Sequence, residues 1–332
     1  MNCRQEGTRS TFRNVIAVGL IAFAATAAQS ADYRWLNSWD RNNPAVSILI
    51  EPYLKAVEAA SKGSMKFVAS GPETVPAFEQ LQPVASGAFQ FLFTHGAYHF
   101  GTNPLLVSVE ALTGTPEQRK ASGVFEAVDM QYQKIGLKLV TIAITQDGGY
   151  QIVLKKPLTA AGDLQGHKIR GNPTYASVIK MLGASMVTLP PSEIFTSLDK
   201  GVIDGFAWPS YGVKEMRFHE AAKYILRPAF GYGTYPVLAN LAVWNKLPAA
   251  DKKIMQDEGV KMSERWLKES AALIESDEKA LIASGLTVVQ MTPAHRAQLK
   301  RAWSDGIWEL TAQKHKKEVE EIRAIAKAKG ID

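Results

Sequence analysis

Cysteine is almost absent from this sequence of 332 residues, in which Cys3 is the sole representative. Because Cys3 lies in an N-terminal segment that we expect to be removed, the mature chain can form neither a disulfide nor a thiolate site. A large apolar core must therefore stabilise the fold, and 46% apolar residues are enough for one.

At about 100–200 residues per domain, the length predicts two compact lobes. With 21% charged residues and no low-complexity tract, the composition excludes a disordered, collagen-like or multi-span membrane protein.

Long apolar runs are also lacking, apart from one near the N-terminus. The segment Val15–Ala28 follows three arginines and ends in the small-x-small pattern Ala28-Gln29-Ser30. These features predict a secretory signal peptide over residues 1–31. The alternative is a retained membrane anchor, but the run is shorter than the roughly 20 residues that span a bilayer. We therefore expect an exported protein, in the periplasm of a Gram-negative bacterium and not embedded in its membrane.

Concentrated positive charge is missing as well. The formal net charge is +6, and the densest basic run, Lys314–Lys317, passes directly into a group of glutamates. That pattern is typical of a solvated helix face, and no cluster of Lys and Arg is interleaved with aromatic residues. We therefore expect no nucleic-acid partner.

The motifs of common enzyme classes are absent from the sequence. It contains no G-x-G-x-x-G, P-loop, H-E-x-x-H or G-x-S-x-G motif. His95 and His99 stand four residues apart and could share a metal on a helix, but Gly96 lies between them and no cysteine or carboxylate is near. A loop that contacts a ligand, or simple packing, is favoured for these histidines. We expect no enzymatic activity, no metal and no cofactor.

From Tyr33 onward, short apolar runs alternate with helical patterns, which is typical of an α/β protein. Because one sheet would be unusually wide, the strands imply two sheets. A helix is predicted over residues 249–284 and, at 1.5 Å per residue, would bend or lie across both lobes. Two helices broken near Gly259 or Ser270 are the alternative. Strands are predicted at 33–37, 65–69, 89–93, 138–144, 150–154, 168–170, 186–189 and 202–208.

Five motifs in the middle of the chain carry a family resemblance. They are KKPL at 155–158, DLQGHKIR at 163–170, LGA at 182–184, PPSE at 190–193 and LDKGVIDG at 198–205. At these residues the sequence resembles the extracytoplasmic solute receptors of tripartite ATP-independent periplasmic (TRAP) transporters, the DctP-type family. Asn240, Trp244 and the long helix that follows them also fit this family.

The resemblance implies a two-lobed periplasmic binding protein fold, in which each lobe is a central sheet flanked by helices. Hinge strands join the lobes, and a long helix spans both. Lobe I is expected to comprise residues 32–147 plus about 236–275, and lobe II residues 148–235 plus about 276–332. The implied function is a receptor that captures a small organic acid by hinge closure and delivers it to a membrane permease. We expect a monomer; a periplasmic ligand-sensing adaptor and an enzyme on this fold are the alternatives.

Arg170 ends a predicted strand, and ligands of α/β proteins usually bind at the carboxyl ends of strands. A guanidinium can donate two charge-assisted hydrogen bonds to the two oxygens of a carboxylate, in a fixed orientation that lysine does not provide. The family resemblance implies that Arg170 binds the substrate carboxylate. The alternative is an arginine paired with a nearby Asp or Glu.

The chain departs from the family in the segment Gly205–Pro209. Sialic acid and C4-dicarboxylate receptors tend to place a polar residue before this proline, where this chain has Trp208. Receptors for 2-oxo acids have tryptophan near this position, beside an acidic residue that helps to hold a metal, but here that neighbour is Ala207. The departure argues against a metal-assisted mode of binding and against a strongly polar sugar acid.

Aromatic residues crowd the segments that we expect to face the cleft, although each could instead belong to the core. As a group they predict a pocket that stacks a planar acid. We expect an aromatic or otherwise planar monocarboxylate, with a 2-oxo acid and a uronate or other sugar acid as alternatives. The candidate binding residues besides Arg170 are Trp208, Asn172, Tyr211, His99, Tyr98, Trp39, Tyr150, Asn240 and Tyr235.

Overall fold

The structure is a computed structural model that describes residues 1–2 and 31–332. The predicted signal peptide therefore falls almost entirely outside the described residues. In the described part of the chain, no helix combines the length and the apolar character needed to cross a membrane. The strands there form two sheets. They are β1 (Ala31–Asn37), β2 (Met65–Ser70), β3 (Phe91–Phe93), β4 (Leu137–Ile144), β5 (Tyr150–Leu154), β6 (Lys168–Gly171), β7 (Ser185–Thr188), β8 (Gly205–Pro209), β9 (Tyr224–Phe230), β10 (Thr234–Asn240) and β11 (Thr287–Gln290).

The first sheet has the strand order β2-β1-β3-β10-β4. Strand β1 runs parallel to β2 and β3, whereas β10 runs antiparallel to β3 and β4. All three residues of the central strand β3 are fully buried. This burial explains why β3 has the sequence of a continuous apolar run rather than an alternating strand.

The second sheet has the strand order β11-β9-β5-β8-β6-β7. Strand β6 runs parallel to both of its neighbours, β7 and β8, while β5 runs antiparallel to β8 and β9. The carboxyl ends of β6, β7 and β8 therefore lie at one edge of the sheet. This edge is where the second lobe can meet a ligand.

Two short links join the sheets and form a hinge. Residues 145–149 connect β4 to β5, and residues 231–233 connect β9 to β10. The two links are hydrogen-bonded to each other, since the Thr145 amide donates to the Gly233 carbonyl and the Gly149 amide to the Gly231 carbonyl, each at 3.0 Å. Adjacent crossing strands of this kind allow two lobes to rotate relative to each other.

The helices flank these sheets. A short π-helical segment, Ala45–Ile50, leads directly into the first of them. Their bounds are α1 (Glu51–Ala60), α2 (Leu81–Ala85), α3 (Pro116–Lys120), α4 (Val124–Gln133), α5 (Ala176–Met181), α6 (Ile194–Asp199), α7 (Leu241–Lys246), α8 (Ala249–Ala283) and α9 (Pro293–Ala328).

Helix α8 lies across both lobes. Near its N-terminal end, Gly259 packs so closely on Thr141 of β4 that an added Cβ would lie 2.7 Å from the Thr141 Cβ. Near its C-terminal end, Glu278 forms an ion pair of 2.7 Å with Arg227 of β9 in the other sheet. The prediction of one long helix is thus confirmed, and a break near Gly259 or Ser270 is wrong. Glycine at this position permits the close approach of helix and strand and does not end the helix.

The predicted α/β fold with two lobes is confirmed, with differences of detail. The strand predicted over 202–208 begins only at Gly205, because the preceding residues form a turn in which Val202 is exposed. The sequence pattern misses strands β9, β10 and β11. The residue-level boundaries of the two lobes stay a prediction.

Candidate functional site

Arg170 lies at the carboxyl edge of the second sheet. Its backbone is in register with Val187 of β7 and Phe206 of β8. The side chain is held by two carbonyl groups. The Arg170 Nε and Nη2 atoms donate to the Leu189 oxygen at 3.0 and 2.9 Å, and Nη1 donates to the Ala207 oxygen at 3.3 Å. The neighbouring strands therefore fix the orientation of the guanidinium.

This anchoring leaves part of the guanidinium available. An arginine has five N–H donors, and three of them serve the two carbonyls, so one donor remains on each terminal nitrogen. Two such donors match the two oxygens of a carboxylate. Arg170 is only 1% exposed, yet none of the ion pairs among the described residues includes it. The pairing with an Asp or Glu that the sequence left open is not found in this part of the chain.

Two tryptophans, one from each lobe, flank the guanidinium region. The Trp208 ring lies 5.7 Å from the Arg170 Cζ atom and packs edge-on against Phe218. Trp39 follows the first strand, and its Nε1 donates a hydrogen bond of 3.0 Å to the Tyr98 hydroxyl. The Trp39 ring also lies 5.8 Å from the ring of Tyr235. Tyr98 in turn lies in the field of the Arg170 guanidinium, so aromatic side chains of both lobes lie near Arg170.

Five buried tyrosines surround this region, and we call them the tyrosine cluster. The Tyr211 hydroxyl donates to the Tyr235 hydroxyl and so joins the segment after β8 to strand β10 of the other sheet. The Tyr150 ring packs edge-on against the Tyr175 ring at 4.9 Å. None of the five is more than 8% exposed. The members are Tyr98, Tyr150, Tyr175, Tyr211 and Tyr235.

The tyrosine cluster is uncharged at neutral pH. Burial raises the pKa of each hydroxyl, and the other members of the cluster oppose the ionisation of Tyr150, Tyr175, Tyr211 and Tyr235. Burial also raises the pKa of Tyr98, although the positive charge of Arg170 partly offsets that rise. The same charge opposes the rise for Tyr175, which places both hydroxyls in the field of the guanidinium. These neutral hydroxyls can donate hydrogen bonds without repelling an anion.

A second polar group lies against the tyrosine cluster, and sequence reasoning missed its central member. Glu110 is fully buried, and its Oε1 accepts hydrogen bonds from the Tyr150 hydroxyl at 3.2 Å and the Thr234 hydroxyl at 2.7 Å. His95 Nε2 lies 2.7 Å from the same oxygen and 2.8 Å from the Tyr150 hydroxyl. The group joins the first lobe to β5 at the hinge. One signal was available, since Glu110 is the lone carboxylate in the buried segment Leu105–Ala111.

Two other predicted residues are buried near the cleft with local partners. Asn172 follows β6, and its side chain accepts a hydrogen bond of 3.0 Å from the Thr174 amide. His99 Nε2 lies 2.8 Å from the Thr94 hydroxyl in the first lobe. Burial and the neighbouring His95 lower the pKa of His99 to about 3, so its ring is neutral. The structure does not bring His99 into hydrogen-bond contact with Arg170.

Asn240, which the sequence analysis names as a candidate binding residue, has hydrogen-bond partners within the fold. Its Nδ2 donates to the carbonyls of Val84 and Ala85 at 2.9 and 3.0 Å, and its Oδ1 accepts from the Val243 amide at 3.0 Å. Asn240 thereby caps α7 and ties it to α2, at the opposite end of β10 from Tyr235. Its hydrogen-bonding groups are used within the fold.

Neither histidine of the 95–99 segment has the partners of a metal ligand. In the range 31–332, together with residues 1–2, no group of three or more His, Cys, Asp or Glu side chains is arranged to hold a metal ion. The Nε2 atoms of His95 and His99 have separate partners, as described above.

A cavity of about 230 Å³ opens between the lobes, and Arg170 is not among its lining residues. Trp39, Asp40 and Pro76 line it from the first lobe, and Pro190, Glu193 and Met216 line it from the second. The lining therefore holds two carboxylates and, among the described residues, no Lys or Arg. Pro190 directly follows Leu189, whose carbonyl holds the guanidinium. The cavity therefore lies beside the strand end that positions Arg170.

Comparison with known proteins places the chain in a family. Residues 37–314 match the family model of the bacterial extracellular solute-binding proteins, family 7, known as DctP. A monocarboxylate 2-oxoacid-binding periplasmic protein of Nostoc sp. is 27% identical over 305 residues, which are 83% of this chain and 82% of the relative.

Solved structures resemble the fold as well. A TRAP periplasmic solute-binding protein from Desulfovibrio salexigens with bound orotic acid superposes with a TM-score of 0.80 at 18% identity, over 90% of this chain and 98% of the other. An extracytoplasmic solute receptor of Bordetella pertussis that binds pyroglutamic acid gives a TM-score of 0.75 at 18% identity, over 90% and 100% of the two chains. At this level of identity the likeness shows the fold.

Proposed function

Because the chain belongs to the DctP family of bacterial extracellular solute-binding proteins, we propose that it is the periplasmic receptor of a TRAP transporter for a small organic acid. In this proposal Arg170 binds the carboxylate of the acid. Closure of the two lobes around the hinge links then traps the ligand. The closed receptor delivers it to a membrane permease.

The observation that carries the proposal is a buried cation without a carboxylate partner among the described residues. Placing a charge in the protein interior costs several kcal/mol unless an opposite charge and hydrogen bonds compensate for it. The Leu189 and Ala207 carbonyls supply part of this compensation. The neutral Tyr98 hydroxyl lies close enough to interact with the guanidinium but carries no compensating charge. An anionic ligand would supply the rest.

The walls of the site favour a planar monocarboxylate. Trp39 and Trp208 provide ring surfaces from opposite lobes, and ring contacts contribute roughly 0.5–1.5 kcal/mol each beyond simple burial. The tyrosine cluster offers neutral donors for a carbonyl, hydroxyl or ring nitrogen of the same ligand. A 2-oxo acid, which is planar across its carboxylate and carbonyl, is the second candidate, and the name of the Nostoc relative favours it.

Lobe closure follows from where the ligand groups lie. Arg170 and Trp208 belong to the second sheet, while Tyr235 belongs to the first and Trp39 and Tyr98 to its loops. A ligand held by both sets stabilises the closed arrangement over the open one. The hydrogen bond between Tyr211 and Tyr235 closes the same gap directly.

Isothermal titration calorimetry of the purified protein tests this proposal. Benzoate and pyruvate serve as planar acids, glucuronate serves as a sugar acid, and the amide of each acid serves as the uncharged control. We expect at least one planar acid to bind with a micromolar or lower Kd and its amide to bind at least a hundredfold more weakly. Equal binding of acid and amide would contradict the carboxylate site.

Small-angle X-ray scattering and product analysis complete the test. Addition of the bound acid should reduce the radius of gyration, because the lobes close. The acid should be recovered unchanged after incubation. A chemically altered product would favour an enzyme, and an unchanged radius of gyration would contradict closure.

A further inference from the structure

A second cavity lies behind the hinge, away from the Arg170 side chain. Its volume is about 440 Å³. The hinge links contribute Asp147, Gly148, Gly231 and Tyr232 to its lining. The rest of the wall comes mainly from the start of helix α9, between residues 296 and 304, and from residues 111–114. The cavity is distinct from the 230 Å³ cavity between the lobes, with which it shares no lining residue.

Positive charge dominates this second cavity. Arg296 and Lys300 lie one turn apart on α9, both are exposed at its rim, and neither takes part in an ion pair within the described residues. Arg119 adds a third cation, whereas Asp147 is the one carboxylate in the lining. Two positive charges are therefore left in excess, which favours an anionic occupant.

Arg119 is an unusual member of this lining. Its side chain is only 3% exposed and stacks on the Tyr232 ring, with the Cζ atom 3.8 Å from the ring centroid. Nη2 forms an ion pair of 2.6 Å with Asp147, but Nε and Nη1 have no hydrogen-bond partner among the described residues. Buried guanidinium donors without partners are costly, and a shift of the side chain toward the cavity would bring them to an acceptor oxygen there.

Most of the remaining side chains of the wall are apolar, with Thr113 and Ser304 as the polar exceptions. Leu299, Trp303 and Phe230 line it, and the Trp303 ring lies 5.5 Å from the Phe230 ring. The other side of Trp303 contacts Tyr150 at 5.4 Å between ring centroids. Gly231 lies directly against the same indole, since an added Cβ would be 2.4 Å from its Cε2 atom. Trp303 is thus a partition between this cavity and the tyrosine cluster.

We infer that the cavity behind the hinge is a second ligand site, which takes an organic anion with a carboxylate group and a flat apolar body. The carboxylate binds among Arg119, Arg296 and Lys300, and the apolar body packs on Trp303 and Leu299. Because both hinge links line the cavity, the occupant contacts the segments that bend when the lobes close. This site is independent of the acid capture proposed for Arg170.

The test is calorimetry with 2-naphthoate on the full protein carrying Arg170→Ala, which disables the proposed cleft site. We expect one binding site per chain with a sub-millimolar Kd. Adding Arg296→Ala and Lys300→Ala, both exposed changes, should weaken binding about tenfold or more, since two charge contacts are lost. The matched control is Lys316→Ala with Lys317→Ala, which removes the same charge from exposed positions farther along α9 and should leave the Kd unchanged.

Either of two results would overturn the inference. One is the absence of naphthoate binding up to millimolar concentration in the Arg170→Ala protein. The other is equal binding by the Arg296→Ala, Lys300→Ala variant and its control. Neither result bears on the cleft site, which is measured separately with wild-type protein and small planar acids.

Discussion

Replacement of Arg170 tests the role of the buried guanidinium in acid binding. In Arg170→Ala, the ligand carboxylate enters a buried site that no longer contains its cation. Removing one partner of a buried ion pair costs about 3–5 kcal/mol, and each 1.4 kcal/mol is tenfold in affinity. The acid should therefore bind about a hundredfold to several thousandfold more weakly. Arg170→Lys keeps the charge but loses the planar fork, so its affinity should fall between those of wild type and Arg170→Ala.

The stability of the same variant should change little, because two effects oppose each other. The Leu189 and Ala207 carbonyls lose their donors, which costs about 1–3 kcal/mol for each buried group left unsatisfied. Against this, the free protein no longer buries a charge that lacks a carboxylate partner among the described residues. We expect a small shift in Tm and an unchanged circular dichroism spectrum.

Calorimetry with the best planar acid measures the loss of affinity. The control is Arg217→Ala, which removes an arginine of the same lobe whose side chain is 73% exposed and paired with Glu220. The control should bind like the wild type. The reasoning is refuted if a folded Arg170→Ala protein binds the acid within about threefold of the wild-type Kd, a difference of less than about 1 kcal/mol.

Two further predictions concern stability. Burial, assisted by the charge of Glu215, raises the pKa of Asp277 to about 7, so stability should fall as pH rises from about 4 to about 7. Asp277→Asn should therefore raise Tm by several degrees at pH 8 and leave it unchanged at pH 4 or below; equal melting of both proteins at pH 8 would contradict this linkage. Gly259→Ala should lower Tm by several degrees, because forcing a Cβ against Thr141 costs about 1–3 kcal/mol, more than the gain in helix propensity. The exposed change Gln256→Ala, one turn earlier, is the control, and a Gly259→Ala protein at least as stable as wild type would contradict the close packing of α8.

Much of the fold could be predicted because local patterns and tertiary packing agree. Strand β5 has the predicted bounds, 150–154, since four of its five residues are apolar and all five are buried. Helix α8 was predicted because apolar residues recur at helical spacing. What the pattern could not decide was whether Gly259 ends a helix or lets it pack closely. Only the position of Thr141, far away in the sequence, settles that choice.

The candidate site was predictable to a smaller extent. The motif around Arg170 indicated a strand end, but the two carbonyls that hold its side chain depend on the register of β6 with β7 and β8. Glu110 lies 40 residues from Tyr150 and 124 from Thr234 in sequence. Such contacts form only when the lobes assemble, so no local pattern reveals them. The capping role of Asn240 was hidden for the same reason, since its partners in α2 lie about 155 residues away.

The charge balance of the site leads to a selectivity for monoanions. Among the described residues that form the site, Arg170 is the cation, and the raised pKa values of the tyrosine cluster keep its members neutral. The buried side chain of Glu110 already places one carboxyl group against this cluster. One carboxylate neutralises the guanidinium, whereas a second carboxylate would be buried among neutral hydroxyls, where the desolvation of an ion is only partly offset. Phthalate should therefore bind at least tenfold more weakly than benzoate in calorimetry at pH 8, where both of its carboxylates are ionised. At a pH low enough to protonate one carboxylate, that disadvantage should shrink, and tighter binding of phthalate at pH 8 would show that a further cation faces the ligand.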